Sequence, residues 1–325
     1  MTRTPCQVSP FEADPLVRVK LHSVGCKVTM HVSVCVCTYR RPDSLGRLLG
    51  ELARQVTQGL FTYSVVVVDN DKEESAKAVV VALAEKYPTL IVYCVEAEQS
   101  IARARNRAVE RAEGEFVAFI DDDEIPTREW LLTLFKTCIE RGVDGVLGPV
   151  RPHFATEPPR WITQGRFYER ADYPTGFVID GAKGRTGNVL LRRALFRPGE
   201  PAFRPEFVTG EDQDFFRRSI AEGHVFIWSS EAVAYEIVPP ERWKRMYVLR
   251  KALMRGRYSV IEPTFGVFDA GKSLTAVCVY AVALPFLCLM GQHHFMRYLE
   301  KFCFHAGKIL ACVGLNPVGA TYVSK

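Results

Sequence analysis

Residues 115–124 read EFVAFIDDDE, an apolar run that stops on four consecutive acids. Phe116–Ile120 has the length and composition of a strand buried on both faces. A strand that ends on acids presents them at the edge of a sheet. The same rhythm repeats upstream. HVSVCVC (31–37) and SVVVV (64–68) are apolar runs rich in β-branched residues, followed by the polar clusters TYRR (38–41) and Asp69-Asn70-Asp71, and LIVYCV (90–95) is a further run. Helical patterns separate them: Leu45, Leu48, Leu49 and Leu52, then residues 73–86, then Ile101–Ala112. Residues 128–141 repeat the helical pattern and Gly145–Val150 reads as one more strand. Strands alternating with helices predict βαβ units and a mostly parallel α/β sheet with flanking helices. Ligands in such sheets bind outside the carboxyl ends of the strands, where three polar clusters fall together.

Several classes are excluded. No GxGxxG follows the first run and no GxxxxGK[ST] occurs, so the dinucleotide and P-loop fingerprints are absent. The 325 residues are 48% apolar and 24% charged, an ordinary globular composition. A net charge of +5 excludes a strongly cationic nucleic-acid coat, and no nucleic-acid partner is expected. The ten cysteines form no CxxC pair and several sit in apolar runs, among them Cys35, Cys37, Cys278 and Cys288. They read as small buried hydrophobes in a reducing compartment. Residues 1–30 read as an extension without a signal-peptide core. The seven histidines show no convergent ligand spacing.

Beyond residue 150 the rhythm changes. Residues 151–185 are rich in Pro, Gly, Arg and aromatics and read as a long shaped loop. TGNVLLRR (186–193), EFVTGEDQDFFRRSIAEG (206–223) and a strand pair, HVFIW (224–228) with AVAYEIV (232–238), follow. Acids as crowded as those of 121–124 need exposure or a cation; a divalent ion shared with a diphosphate suits them, and a solvated turn ahead of a helix is the alternative. The acids at 211, 212 and 214 open a helical run. A carboxylate there, facing the sheet edge, can act as a general base; a plain N-cap explains one acid but not three.

The order VSVCVCTYRRP, VVVVDN, SIARARNRAVERAEGEFVAFIDDDE, TGNVLLRR, GEDQDFFRR, YEIVPPERW resembles the family 2 inverting glycosyltransferases of GT-A fold, in particular the bacterial type of exopolysaccharide and lipid-linked glycan synthesis. The resemblance covers residues 32 to about 260. It implies that Thr38, Tyr39 and Arg40 line a nucleotide pocket, that Asp69 contacts the nucleobase, and that Arg105 faces the diphosphate or ribose. It makes Asp121 and Asp123 the outer acids of a D-x-D motif, with Asp123 on a metal, Mn²⁺ or Mg²⁺, and Asp121 or Asp122 on ribose or metal. Asp212 becomes the catalytic base. Many relatives carry a His metal ligand where this chain has Glu236, which is either a ligand or structural. Trp161, Asn188 and Glu211 are candidate acceptor contacts; loop packing is the alternative for Trp161, and a turn before a strand for Asn188. The processive signature Q-x-x-R-W appears only as Pro239-Pro240-Glu241-Arg242-Trp243, without its Gln, so transfer of one sugar per acceptor is expected.

The expected function is transfer of a sugar from a nucleotide-diphospho-sugar, a UDP-sugar, to a lipid-linked or saccharide acceptor. A nucleotidyltransferase uses similar acids but usually a glycine- and lysine-rich phosphate loop, which TYRRPDS is not. A non-catalytic binding module has no reason to keep Asp121, Asp123 and Asp212.

The expected organisation is a catalytic domain over 31–240, a basic helix and linker over 241–272, and a helical tail over 273–325. Residues 241–325 hold 12 Lys or Arg and 4 Asp or Glu, against 30 and 33 in residues 1–240. Residues 273–290 carry no charge, and residues 242–257 carry seven basic residues and no acid. An apolar segment beside a basic run predicts a membrane-associated tail at the cytoplasmic face of the cytoplasmic membrane. The basic run also admits a diphosphate-facing role, and the apolar segment a buried helix.

Overall fold

The computed structural model describes residues 30–87, 89, 91–261 and 265–316; most of the amino-terminal extension and the end of the tail lie outside them. The chain begins with β1 (Met30–Thr38), α1 (Pro42–Leu52), β2 (Phe61–Asp69), α2 (Lys77–Lys86), β3 (Ile91–Val95), α3 (Ile101–Arg111), β4 (Phe116–Ile120), β5 (Glu124–Pro126) and α4 (Trp130–Arg141). It continues through β6 (Gly145–Leu147), β7 (Val150–His153), α5 (Arg160–Gln164), β8 (Asn188–Arg192), α6 (Glu211–Ala221), β9 (Phe226–Trp228) and β10 (Ala234–Ile237). The helices α7 (Arg245–Tyr258), α8 (Val267–Leu287) and α9 (Gln292–Cys312) close it.

Seven strands form one sheet in the order β3-β2-β1-β4-β8-β6-β9. The first four are mutually parallel, β8 runs antiparallel to both neighbours, and β6 pairs parallel with β9. Both faces are covered, which is why the strands are apolar runs rather than alternations. Val32, Val34, Val36, Val65 and Val67 pack beneath α1, α2 and α4, whereas Cys35, Val66 and Val68 pack beneath α3 and α6. Leu45, Leu48, Leu49 and Leu52 of α1 are each at most 2% exposed, and each such burial contributes roughly 1.5–3 kcal/mol. Parallel pairing sets Thr38 beside Asp69, and the β1–β4 register carries Asp122 to the same level. The three polar clusters therefore share one sheet edge.

Several expectations change. Gly145–Val150 is not one strand: Leu147 ends β6 in the large sheet, and Val150 starts β7 in a second sheet of order β5-β10-β7. HVFIW and AVAYEIV are likewise not partners, since β9 belongs to the first sheet and β10 to the second. Gly148-Pro149 interrupts the first run and Ser229-Ser230-Glu231 the second, but neither break tells which sheet the strands on its two sides join. The second sheet pairs Glu236 with Glu124. Helix α2 starts at Lys77, after a turn, and residues 151–185 include β7 and α5.

The tail docks through an apolar cluster of Trp161, Ile162, Val248 and Met296. Helices α7 and α9 touch backbone to backbone at two glycines. A Cβ on Gly256 would lie 1.9 Å from the Phe304 carbonyl oxygen, and one on Gly307 would lie 2.2 Å from that of Leu253. Helix α8 packs on α9 and turns the rest of its surface outward. Val267–Met290, which is α8 with the short turn after it, is longer than the charge-free segment and suffices by length and composition to cross a membrane. Cys278 and Cys288 are exposed on it, contrary to their expected burial.

Asn188 is the polar knot of the interior. It is buried and accepts from Trp130 Nε1 (2.7 Å) while its amide donates to the carbonyls of Pro149 (3.0 Å) and Ala232 (2.7 Å). Asn188→Ala should destabilise the fold by about 3 kcal/mol, because a buried partner left unsatisfied costs roughly 1–3 kcal/mol. Urea denaturation checks this; an unchanged midpoint would contradict it.

Candidate active site

The four acids of the opening stretch are met by arginines from distant segments. Asp122 accepts from Thr38 Oγ1 (2.8 Å) and from Arg41 (2.9 Å), and Arg41 also reaches Asp123 (3.2 Å). Arg242 bridges Asp123 (2.8 Å) and Glu236 (3.0 Å). Arg170 takes the other oxygen of Glu236 (2.6 Å). Arg105 pairs with Glu211 and lies 3.7 Å from Asp121. The chain reaches α6 through Gly210, whose φ of 81° favours glycine, and its first turn carries Glu211 and Asp212.

These groups enclose a cavity of about 560 Å³. Thr38 and Tyr39 line it from the tip of β1, Asn70 from β2, and Asp121, Asp122 and Asp123 from β4. Arg105, Glu211 and Asp212 face it from the helices, and Glu236 from the second sheet. Burial pushes the Asp122 carboxyl up to about 6 despite the pull of Arg41, and Glu211 up to about 7 despite Arg105, with Asp212 adding repulsion. Burial also raises Glu124 well above the usual range.

Other sequence candidates stand elsewhere. Asp69 is fully buried and accepts from Ala76 N (2.7 Å), Tyr93 Oη (3.1 Å) and Asp71 N (3.2 Å); its neighbour Asn70 faces the cavity instead. Arg40 lies outside the cavity, bonded to Asp71. Trp161 is 6% exposed, edge-on to Phe167 under the tail helices. Asn188 spends its amide on the interior. Sequence reading missed Arg170, Tyr247 and Lys251 as cavity residues. The basic run of 242–257 was the available signal for Lys251, under its diphosphate-facing alternative; Arg170 sits in the irregular loop and had none.

The donor set suits a hard cation. Asp121 keeps its side chain 44% exposed toward the cavity. Beside it, the buried Glu124 Oε1 has no hydrogen-bond partner, and the space a Cβ would fill on Gly187 lies 3.0 Å from both Asp121 Oδ2 and Glu124 Oε1. Among the described residues no three His, Cys, Asp or Glu side chains gather as a metal cage. One or two carboxylates completed by phosphate oxygens, the usual Mg²⁺ arrangement, is what these residues fit. Both oxygens of Glu236 are held by arginines.

A family model described as "Glycosyl transferase family 2" matches residues 33–196. The succinoglycan biosynthesis protein ExoM of Rhizobium meliloti is 31% identical over 303 residues, 89% of this chain and 95% of that protein. The mannosyltransferase PcManGT of Pyrobaculum calidifontis, solved with GDP-Man and Mn²⁺, superposes with a TM-score of 0.58 at 20% identity, over 88% of this chain and 86% of that one. Residues 1–349 of S. aureus TarS, solved with UDP-GlcNAc, give 0.51 at 18% identity, over 89% and 93%. The shared architecture is the GT-A fold.

Glu211 keeps its proton to about pH 7 in the folded chain against an ordinary 4.5. Its contribution to stability is therefore fully present below about 4.5 and is lost as the pH rises through about 7. Glu211→Gln cannot ionise, so its stability relative to wild type should improve as the pH rises from about 4.5 to about 7 and level off above that, by at most about 1.4 kcal/mol per pH unit. Parallel denaturation curves across that range would contradict it.

Proposed function

The chain belongs to glycosyltransferase family 2, and from that premise we propose that it moves a single sugar, with inversion, from a nucleotide-diphospho-sugar to an acceptor hydroxyl. The observation that carries this reading is the pairing across one cavity of the strand-tip acids Asp121–Asp123 with Asp212 on the first turn of α6, tied by Arg105, which lies against Asp121 and pairs with Glu211.

In this reading Thr38 and Tyr39 hold the nucleoside, and Asn70, whose amide is bonded to the carbonyls of Glu96 and Glu98 and to Ser100 N, shapes the wall beside them. Arg105, Arg242 and Lys251 face the diphosphate and stabilise the charge that grows there as the glycosidic bond breaks. Asp121 and Asp123 would hold a divalent ion, Mn²⁺ or Mg²⁺, and such an ion would supply further charge neutralisation on the leaving diphosphate. Glu236 is assigned to positioning Arg170 and Arg242 rather than to the ion. Asp212 takes the proton from the acceptor hydroxyl while its oxygen forms the new bond to the anomeric carbon. The electron pair of the old bond leaves with the diphosphate, opposite the attack, so an α-donor gives a β-product. The PPERW segment, lacking the processive Gln, supports one transfer per acceptor.

The likeness to ExoM, a succinoglycan biosynthesis protein, supports a place in exopolysaccharide synthesis; in this reading the acceptor is a saccharide or lipid-linked saccharide and the donor a UDP-sugar. The uncovered face of α8, together with the basic run of 242–257 that precedes it in the sequence, supports attachment to the cytoplasmic face of the cytoplasmic membrane.

Asp212→Asn should lower transfer at least about a thousandfold, the upper range for a lost general base and its charge, while calorimetry finds nucleotide affinity nearly unchanged. A variant with normal turnover would remove Asp212 as the base. Val282 and Phe286 are 70% and 68% exposed on α8. Replacing both with Ser should shift the protein from sedimenting with anionic vesicles to the supernatant, with its thermal midpoint held. Retention on the vesicles would contradict the attachment.

A further inference from the structure

Gly187, which packs against Asp121 and Glu124, also lines a second cavity of about 240 Å³. Arg170 is common to the two cavities. The lining of the second holds three cations, Arg170, Lys183 and Arg185, and no acid. Two of those charges are committed: Arg170 to Glu236, and Lys183 to Asp180. Arg185 makes no salt bridge or side-chain hydrogen bond among the described residues. The charges that bear on it are Arg170, which repels it, and Asp212, which attracts it. Arg185 thus lines an acid-free cavity with its five donors uncommitted.

The rest of the wall is small and aliphatic apart from Asn188 and two aromatic residues, Tyr173 and Trp228, whose rings are held in place. Tyr173 stacks on Phe177 with ring centroids 4.5 Å apart and meets Trp228 edge-on at 5.3 Å. Trp228 Nε1 donates to Asp172 (2.9 Å). Fixed rings of this kind offer an apolar face to the C–H face of a sugar, and few polar groups remain to orient it. Asn188 contributes none, because its amide is spent within the fold. The volume has room for one sugar ring but not for a nucleotide, and the first cavity already carries the acids and arginines suited to a diphosphate.

We propose that the second cavity is the acceptor subsite, that it takes the acceptor's terminal sugar against Tyr173 and Trp228, and that Arg185 selects a sugar bearing an oxyanion, either a carboxylate or a phosphate ester. This rests on the reading of Asp212 as the base: the second cavity shares Arg170 with the first and reaches Asp121 through Gly187, so an acceptor seated here adjoins the cavity that Asp212 lines. Guanidinium binds both anions with the same paired donors, so the chemistry fixes the charge and the experiment separates the two sources.

The test uses the full chain saturated with UDP and Mn²⁺, titrated with glucose, glucuronate, glucose 6-phosphate and inorganic phosphate by ligand-observed NMR. Glucuronate or glucose 6-phosphate should bind at least about tenfold tighter than glucose, a gain appropriate to one charge-assisted pair. Whichever binds tighter identifies the source. Arg185→Gln should reduce both to the level of glucose, Arg185→Lys should restore part of the preference, and UDP affinity should not move in either variant. Glucose binding as tightly as the acids, or a preference that survives Arg185→Gln, would overturn the proposal. So would inorganic phosphate matching the sugar acids, since the aromatic wall would then contribute nothing. Tighter binding of UDP-glucuronate than UDP-glucose, lost in Arg185→Gln, would place the charge on the donor and also overturn it. The UDP titration keeps the two levels apart: UDP bound without an anion preference refutes the subsite alone, whereas failure to bind UDP refutes the glycosyltransfer reading beneath it.

Discussion

Four acids in a row at the end of a buried strand repel one another, and the structure around them is organised by how that repulsion is relieved. Thr38 and Arg41 meet Asp122, Arg41 and Arg242 meet Asp123, and Arg105 approaches Asp121. Those partners come from the tip of β1, the loop before α1, helix α3 and the segment before α7. Holding them together fixes the relative positions of the large sheet, the second sheet and the start of the tail. The compensation is incomplete: Asp121 stays open to the cavity, and Glu124 keeps an oxygen without a hydrogen bond, with Arg170 4.0 Å away. The residual negative charge lies where the sheet's ligands bind, and that is what makes the edge suited to a cation and a diphosphate together.

The second sheet is the less obvious part of this arrangement. Its pairing of Glu236 with Glu124 puts a fifth acid beside the first four, and Arg170 and Arg242 are the answer to it. Glu236 thereby becomes an anchor for two arginines rather than a free ligand. The arginines in turn connect the irregular 151–185 segment and the foot of α7 to the site. Because α7 is packed on α9 through glycine contacts, and α9 on α8, the apolar face of the tail is mechanically continuous with the wall that carries Tyr247 and Lys251.

Much of this was legible in the sequence for a plain physical reason. Strands buried on both faces are uniformly apolar, so β1, β2 and β4 stand out, and the polar residues that end them stand out equally. The Glu211-Asp212 pair was visible because three acids at a helix start exceed what capping explains. What was not legible depends on distant partners. Whether Asp69 faces a ligand or turns inward to Ala76, Tyr93 and Asp71 is decided by the turn that follows β2, not by its own strand. Trp161 and Asn188 look functional as an aromatic in a loop and an amide after a glycine, yet one is covered by α7 and α9 and the other is saturated by two turns. Arg170 had no local mark, since an arginine in an irregular segment reads the same whether or not it meets an acid 66 residues away. Cys278 and Cys288 show the converse limit: an apolar run reports that a surface avoids water, but not what covers it.

The central claim is that the strand-tip acids and the first turn of α6 grip one nucleoside diphosphate and one metal ion between them. A crystal of this chain grown with UDP and Mn²⁺ tests it directly through the anomalous scattering of manganese. The account predicts a peak in direct contact with carboxylate oxygens of Asp121 or Asp123 and with phosphate oxygens of UDP, and Arg105 and Arg242 on the diphosphate. A manganese peak on Glu236, or a nucleotide seated away from the tips of β1 and β4, would contradict it.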